Sequence, residues 1–333
     1  MTIKDIAQRC GTTANTVSRV LRGDTGISEA TSRRVREAAE EMGYVRNGLA
    51  SAMRSGKSRV ISVIVDDLLN PHYATLINRI DLLLKREGYD TMTLCTQGEL
   101  EKGMDMAQLS LSGMADGIFY FPDACGPRLA GLIRQRRVPL VLLDRGIAGV
   151  SADVVRLDDR RGGELAAQRL LEAGHERFVY LSGPQDNGAE PLRRGGFLDR
   201  LQKSGVPGER IRIADSDRVQ QAMRENRFLP LLGTDRESGI FAFNDQIAYY
   251  AVNALRQSGC PVPGQASVVG CDYIRSLLPY LQPLSSVAGT SGEEMAQRAV
   301  KLLLRRISEP DAEVREEILP VILQEPDSTA GRK

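Results

Sequence analysis

Residues 3–22 read IKDIAQRCGTTANTVSRVLR. Apolar residues recur in the first half at the spacing of a helix, and Gly11 ends that helix as a residue at positive φ would. Thr13 is suited to cap a second helix, whose apolar residues again share one face: Val17, Val20 and Leu21. Two short helices joined by a short turn with a glycine are typical of a helix-turn-helix. The sequence therefore predicts this motif at its N-terminus.

A third helix is predicted over residues 28–43, with Ser28 as its cap and Gly43 at its end. Its predicted inner face is apolar: Ala30, Val35, Ala38, Ala39 and Met42. Three arginines would lie on its outer face: Arg33, Arg34 and Arg36. These arginines could hold phosphate or simply be solvated.

The exposed face of the second helix carries side chains that can read DNA. Asn forms bidentate hydrogen bonds with adenine, and Arg does so with guanine. The residues predicted on this face are Ala14, Asn15, Ser18, Arg19 and Arg22. An ordinary surface helical hairpin would have the same helices, so the motif alone leaves both interpretations open.

Charge is distributed unevenly along the chain. In total, the chain has 44 Lys and Arg and 43 Asp and Glu. Residues 1–58 hold ten basic and six acidic side chains, a charge of +4, which leaves −3 for the remainder. A basic N-terminal part on a slightly acidic body indicates a polyanionic partner for that part.

Residues 45–58 predict a connecting segment. Asn47 could cap a short helix, 48–54, which is far below the ~12 residues that an isolated helix needs. Ser55–Ser58 has the composition of a linker. Such a marginal helix in a basic segment could fold only when docked on a partner.

From residue 59 onward, short β-branched runs alternate with helical segments, and the alternation restarts after Leu157. This pattern predicts an α/β body with two doubly wound, Rossmann-like lobes. Ligands bind such sheets at the carboxyl ends of the strands. Polar residues follow these strands, although for most of them a helix cap is the simpler interpretation: Asp66, Asp67, Asp144, Arg145, Asp158, Asp159, Asn244, Asp245 and Asp272.

Several functional classes are not indicated. No apolar run reaches the ~18–20 residues of a membrane helix, and the N-terminus does not read as a signal peptide. Five scattered cysteines form no C-x-x-C pair, so neither a disulfide framework nor a zinc site is indicated. His72 and His175 lie far apart, and no catalytic constellation is evident. We expect a cytoplasmic protein without metal, cofactor or enzymatic activity.

The sequence resembles the lac repressor/galactose repressor (LacI/GalR) family of bacterial transcription regulators. The similarity extends over nearly the whole chain. Its most specific motif is TVSRVL, residues 16–21, and the others are TIKDIA (2–7), RRVREAAEEMGY (33–44), NPHY (70–73), DDRRGG (158–163), RRGGF (193–197), FNDQIA (243–248) and SVVGCD (267–272).

The resemblance implies a DNA-binding surface. Its residues would be Thr13, Ala14, Asn15, Thr16, Ser18 and Arg19 in the headpiece, with Asn47, Ala50 and Met53 in a hinge helix. In that family the hinge helices of two subunits pair in the minor groove, where an apolar side chain, here Met53, wedges between base pairs. Arg46 stands where the family usually has Pro, and Met53 where it usually has Leu, which puts the strength of this hinge in question.

The resemblance also implies an effector pocket between the lobes. Its residues would be Asn70, His72, Tyr73, Arg193, Asn244, Gln246 and Asp272. Arg161 replaces an acidic residue that grips sugar hydroxyls in the lac repressor. Because Arg is suited to bidentate binding of carboxylate or phosphate, Arg161 raises the hypothesis of an anionic effector, such as a sugar acid or sugar phosphate. The alternative is that Arg161 points to solvent or pairs with Asp158.

The implied domain organisation is a headpiece at 1–44, a hinge at 45–58, an effector-binding and dimerisation domain at 59–326, and a disordered tail at 327–333. Lobe 1 would comprise 59–157 and 285–312, and lobe 2 would comprise 158–284 and 313–326. The chain would cross between the lobes near Leu157, near 283–286 and near 311–317.

The sequence thus predicts a homodimeric transcription regulator, expected to be a repressor, that binds a palindromic operator under control of a sugar-like effector. Alternatives are a solute-binding protein without a DNA role, a regulator that uses a nucleobase or protein co-effector, and an α/β enzyme. The sequence contains no leucine heptad, so a tetramer is not indicated.

Overall fold

A computed structural model describes residues 1–21, 23–44, 57–122, 126–184, 188–232, 237–291, 293–324 and 328–329. The chain forms two compact units, Met1–Gly56 and Lys57–Lys333. Among the described residues, no helix combines the length and apolar character needed to cross a membrane.

The headpiece contains three helices: α1 (Ile3–Arg9), α2 (Ala14–Leu21) and α3 (Glu29–Glu41). Its small core is apolar and draws on all three: Ile6, Ala7, Cys10, Val17, Val20, Val35, Ala38 and Ala39. Gly11 has φ +58° in the turn between α1 and α2, a conformation that glycine adopts without strain. Thr13 and Ser28 accept hydrogen bonds from Thr16 N–H and Thr31 N–H, as expected of helix caps.

The predicted inner face of α3 is wrong at one position. Ala30 is exposed, and Ser32 is buried in its place. Ser32 and Val35 lie three residues apart and share one face of the helix, whereas Ala30 lies on another.

Lobe 1 of the body is a six-stranded parallel sheet in the order β11-β5-β4-β3-β1-β2. Its strands are β1 (Val60–Val65), β2 (Asp90–Cys95), β3 (Gly117–Tyr120), β4 (Leu140–Leu143), β5 (Asp153–Leu157) and β11 (Glu316–Leu319). The associated helices are α4 (Pro71–Arg86), α5 (Leu100–Leu109), which a π-helical turn at Ser110–Met114 extends, α6 (Gly126–Gln135) and α12 (Glu294–Ser308).

Lobe 2 is a second six-stranded sheet in the order β12-β10-β9-β8-β6-β7, in which β12 is antiparallel to β10. Its strands are β6 (Phe178–Leu181), β7 (Ile211–Ala214), β8 (Gly239–Ala242), β9 (Ser267–Cys271), β10 (Ser285–Gly289) and β12 (Val321–Gln324). Its helices are α7 (Asp159–Glu172), α8 (Ala189–Lys203), α9 (Ser216–Glu225), α10 (Leu229–Leu232) and α11 (Asp245–Gln257). The expectation of two doubly wound lobes is confirmed.

Two of the three predicted crossover positions differ from the structure. The crossover after Leu157 lies at the end of β5, as expected. β10 pairs with β9 and therefore belongs to lobe 2, so the chain leaves that lobe after Gly289 and not at 283–286. β11 pairs with β5 in lobe 1, and β12 follows in lobe 2, so the last crossover is at Pro320 and not at 311–317. The sequence gives no cue for either position, because pairing with a distant strand decides the sheet.

The prediction of a disordered tail at 327–333 is wrong for the two residues of this range that the structure describes. Ser328 and Thr329 are each 1% exposed. Ser328 Oγ accepts a hydrogen bond from Ser285 N–H at 2.7 Å, and Thr329 Oγ1 accepts one from Arg169 Nε at 2.9 Å. These bonds to β10 and α7 hold Ser328 and Thr329 inside lobe 2. Their polar composition alone would predict that they are in solvent.

Candidate functional site

The outer face of α2 presents the side chains that were predicted to contact DNA. Val17 and Val20 anchor the helix in the core, so Asn15 is exposed, and Ala14, Thr16, Ser18 and Arg19 are partly exposed. The Thr13 and Thr16 hydroxyl oxygens lie 3.0 Å apart at the start of the helix. The geometry therefore places the predicted base-reading residues together on one surface.

Arg19 is paired with a carboxylate in the following loop. Its Nε donates to Asp24 Oδ2 at 2.8 Å, and its Nη2 donates to Asp24 Oδ1 at 3.2 Å. The side chains of Arg19 and Asp24 are 41% and 37% exposed. The hydrogen bond to Asp24 raises the pKa of Arg19 further above its usual range.

The hinge predictions lie outside the described residues. They concern Arg46, Asn47, Ala50 and Met53, all within 45–56.

A cleft between the two lobes brings together most of the predicted effector residues. They lie where strands end and helices begin, as expected for open parallel sheets. Asn70 caps α4, Asn244 caps α11, and Asp272 follows β9. The cleft is lined by Asn70, His72, Tyr73, Asp144, Leu157, Asp159, Ala189, Arg193, Phe243, Asn244 and Asp272.

Arg193 is the most extensively bonded of these side chains. Its Nε donates to Asp159 Oδ1 at 2.8 Å, and its Nη1 donates to the Phe243 carbonyl oxygen at 2.6 Å. Its Nη2 lies 3.7 Å from Asp272 Oδ1, and its guanidinium carbon lies 4.7 Å from the centre of the Phe243 ring. Only 11% of the side chain is exposed. Arg193 therefore enters the cleft as a fixed group whose charge two carboxylates already offset.

A close helix crossing positions Arg193. A Cβ on Gly163 of α7 would lie 2.0 Å from the Arg193 carbonyl oxygen, and one on Gly196 of α8 would lie 1.9 Å from the Arg160 carbonyl oxygen. Only glycine lets the two backbones approach this closely. The glycine pairs of the DDRRGG and RRGGF motifs therefore set the Arg193–Asp159 contact.

Acidic groups dominate the electrostatics of the cleft. Burial raises the pKa of Asp159 and of Asp272. Burial alone would lower the pKa of His72. The carboxylates of Asp144 and Asp272 outweigh this effect of burial and raise the pKa to about 9. His72 Nε2 lies 3.5 Å from Asp144 Oδ1. Three carboxylates thus face two cations, Arg193 and His72.

A buried polar network lies beneath the cleft. Asp245 Oδ1 accepts a hydrogen bond from Ser286 Oγ at 2.6 Å, and Oδ2 accepts one from Ile274 N–H at 2.9 Å. Ser286 Oγ in turn accepts from Tyr273 N–H at 2.9 Å. These bonds tie the loop that follows Asp272 to β10, which stabilises the position of Asp272.

Two of the predicted effector residues do not reach the cleft. Arg161 follows Asp159 by two residues, about 200° around the helix, so it points away when Asp159 points inward. Its side chain is 51% exposed and donates to Glu164 at 2.9 Å. Arg161 therefore does not line the cleft in this structure, because the helix phase directs its side chain to solvent. Gln246 lines neither this cleft nor the cavity beside it.

A larger cavity of about 290 Å³ adjoins the cleft. The two share His72, Leu157 and Asp272. The cavity extends towards Thr75 and Leu76 of α4, Tyr273, and Thr290 and Ser291 after β10. The cleft itself encloses about 30 Å³, room for little more than a water molecule, so most of the space for a ligand lies on this side.

The effector set predicted from sequence omits Asp144, Asp159 and Phe243, which all line the cleft. A signal existed for the two acids, since Asp144 directly follows β4 and Asp159 lies two residues after the end of β5. What the sequence does not reveal is that Asp159 points inward and Arg161 outward, or that Phe243 stacks on Arg193.

Residues 2–47 match the family described as "Bacterial regulatory proteins, lacI family", and residues 167–329 match the "Periplasmic binding protein-like domain". The HTH-type transcriptional repressor PurR of Aliivibrio fischeri (strain MJ11) is 28% identical over 317 residues, 94% of each chain.

Two solved structures are similar over most of their length. A LacI family transcriptional regulator from Enterococcus faecium with bound ribose is 28% identical, with a TM-score of 0.70 over 82% of this chain and 100% of that chain. The lac repressor dimer bound to operator and the anti-inducer ONPF has a TM-score of 0.79 over 99% of each chain at 22% identity, a likeness of fold.

A helix-turn-helix headpiece joined to a two-lobed, periplasmic-binding-protein-like body is the architecture of a transcription regulator and not of an enzyme. The chain thus combines a LacI-family helix-turn-helix domain with a periplasmic-binding-protein-like domain.

Proposed function

We propose that this regulator binds a palindromic operator as a cytoplasmic homodimer and represses transcription, with its operator affinity set by a small hydroxyl-rich effector held in the cleft between the lobes. The observation that carries this is the set of polar groups from both lobes around one cleft. Asn70 and His72 come from lobe 1, and Arg193 and Asp272 come from lobe 2. A ligand that bonds both sides changes the relation of the lobes, and such coupling is typically worth ~1–3 kcal/mol in affinity.

The charges of the cleft favour a neutral effector over an anionic one. Arg193 is already engaged by Asp159 and Asp272, and Asp144 adds a further carboxylate. Carboxylate oxygens accept hydrogen bonds from hydroxyl groups, whereas they repel another acid. The partly apolar cavity of about 290 Å³ beside the cleft would hold the less polar part of the molecule. The E. faecium relative has ribose bound, which supports a sugar.

A thermal-shift screen tests the effector class. The panel contains neutral sugars, sugar acids, sugar phosphates and nucleobases. A ligand at a hundred times its dissociation constant stabilises the fold by about 2.7 kcal/mol, a readily measured shift. We expect a neutral sugar to give the shift. Selective stabilisation by an acid, a phosphate or a nucleobase would contradict the neutral assignment.

Two variants then locate the site. Asp272→Asn keeps the shape of the side chain but removes its charge, and we expect it to abolish the ligand shift. Arg161→Ala on the same lobe is the control, because its solvent-facing side chain pairs only with Glu164 among the contacts described here, and it should retain the shift. Retention of the shift in both variants would place the effector elsewhere, and its loss in both would show that binding also depends on Arg161.

The DNA-binding half of the proposal rests on α2. Two headpieces in adjacent major grooves would read half-sites about one helical turn apart. Selection of binding sites from random DNA should therefore return a palindrome, and sedimentation should give a dimer. A monomer that selects single half-sites would exclude the dimeric arrangement. Asn47, Ala50 and Met53 are proposed to contact the centre of the palindrome.

A further inference from the structure

The loop that follows the recognition helix holds the side chain of Arg19 in one orientation. Asp24 accepts two hydrogen bonds from the same edge of the guanidinium, one from Nε at 2.8 Å and one from Nη2 at 3.2 Å. Bidentate pairs of this kind fix direction as well as distance. In the described part of the headpiece, this arrangement leaves the edge formed by Nη1 and Nη2 facing away from Asp24.

The loop fixes the carboxylate in turn. Gly26 N–H donates to Asp24 Oδ1 at 2.9 Å, and Asp24 N–H donates to the Arg19 carbonyl oxygen at 3.1 Å. Gly26 also leaves space for the guanidinium, because a Cβ at this position would lie 3.0 Å from Arg19 Nη2 and 3.1 Å from Asp24 Oδ1. Asp24 thus binds the Arg19 guanidinium, and Gly26 leaves the space that the guanidinium occupies.

We propose that Asp24 and Gly26 are specificity-determining residues of the DNA-binding surface that act through Arg19 without contacting a base. This inference rests on the proposed role of Arg19 in base recognition. An arginine that is already oriented loses less rotamer freedom on binding, and its Nη1–Nη2 edge meets a guanine in the geometry that bidentate recognition requires. The loop therefore contributes to the choice of base at one position more than to affinity for DNA in general.

The headpiece offers a matched control for charge. Glu41 accepts a hydrogen bond from Arg9 at 2.6 Å, and this ion pair joins α3 to α1 away from the recognition helix. Asp24→Asn and Glu41→Gln each remove one negative charge from the headpiece, so both change its net charge by the same amount. Gly26→Ala changes no charge and adds a methyl group against the Arg19 guanidinium.

The experiment uses the full-length protein and an operator selected from random DNA. Arg19→Ala first identifies the base pair that Arg19 reads, as the position where the ratio of matched to mismatched affinity falls by roughly 5- to 150-fold. At that base pair we expect Asp24→Asn and Gly26→Ala to lower the ratio by roughly 3- to 10-fold, part of the range of a full contact. Glu41→Gln should leave the ratio unchanged. Thermal melting of each variant verifies that the headpiece is folded.

A double variant separates positioning from a structural role. If Asp24 acts through Arg19, adding Asp24→Asn to Arg19→Ala should cause no further loss at that base pair. Additive losses would overturn the proposal. The proposal would also be overturned if Asp24→Asn bound every sequence more tightly by the same factor, so that the ratio of matched to mismatched affinity stayed unchanged. That result is expected if the carboxylate merely competes with DNA. If the wild type selects no sequence at all, the proposed operator-binding function fails first, before any variant is compared.

Discussion

Arg19 in the headpiece and Arg193 in the body are both paired with carboxylates, but in opposite surroundings. Arg19 has one carboxylate partner and is 41% exposed, whereas Arg193 has two, together with a carbonyl oxygen and an aromatic ring, and is 11% exposed. Water screens the first pair, so it adds little to stability, and its effect is to orient the guanidinium. The second pair is desolvated, so removing one member leaves a buried charge without its hydrogen-bonded partner. The same chemistry thus orients an exposed side chain on one surface and builds a buried framework in the cleft.

The largest effect is expected from breaking the buried pair. Arg193→Ala would leave Asp159 buried without its hydrogen-bonded cation and Asp272 with His72 alone, and we expect it to lower the free energy of unfolding by about 3–5 kcal/mol. Urea denaturation measures this directly. Arg161→Ala, on the other side of the same helix crossing, should stay within about 0.5 kcal/mol of the wild type. Equal effects of the two would mean that Arg193 is not desolvated.

The pH dependence of stability sharpens the comparison, because the cleft holds a charged histidine. The pKa of His72 is about 9, against an ordinary value of 6.5, so its contribution is complete below pH ~6.5 and is lost as the pH rises towards ~9. The wild type should lose up to about 3 kcal/mol more than His72→Gln over that range. Urea unfolding at a series of pH values tests this, and superimposable profiles for the two chains would rule out the charged state.

The smallest effect on stability is expected at the exposed pair. Arg19→Ala should leave urea and thermal unfolding unchanged, since the pair is screened by water. Its effect should appear only in DNA recognition, as the loss of base discrimination described above. A clear loss of stability would show that Arg19 is part of the headpiece framework, and the contrast with Arg193 would fail.

The sequence predicts local features well because local chemistry decides them. Gly11 at positive φ and the caps Thr13 and Ser28 are fixed by neighbours within a few residues. The alternation of strands and helices in the body is likewise a matter of periodicity.

Features that depend on distant partners were not predictable. Ser285 and Ser286 bond to Thr329 and Asp245, and these contacts belong to β10 in lobe 2. Composition gives no sign of them. The roles of Asp159 and Arg161 depend on the rotation of α7 about its axis, which close packing at Gly163 sets. A resemblance between motifs predicts which residue types occur at each position. It does not predict which way the side chain of Arg161 points, because this residue differs from the one in the lac repressor.

The crossovers at Asp158 and Pro320 have a mechanical consequence. Each is a single residue between elements of different lobes, and Asp158 N–H donates to the Leu319 carbonyl oxygen at 2.9 Å. A single residue spans at most ~3.6 Å, so neither link can lengthen, and proline also fixes its own φ. The lobes therefore cannot slide apart here. A turn about a line through these two residues leaves both links at constant length, and a small displacement near that line becomes a larger arc at the far rim of each lobe.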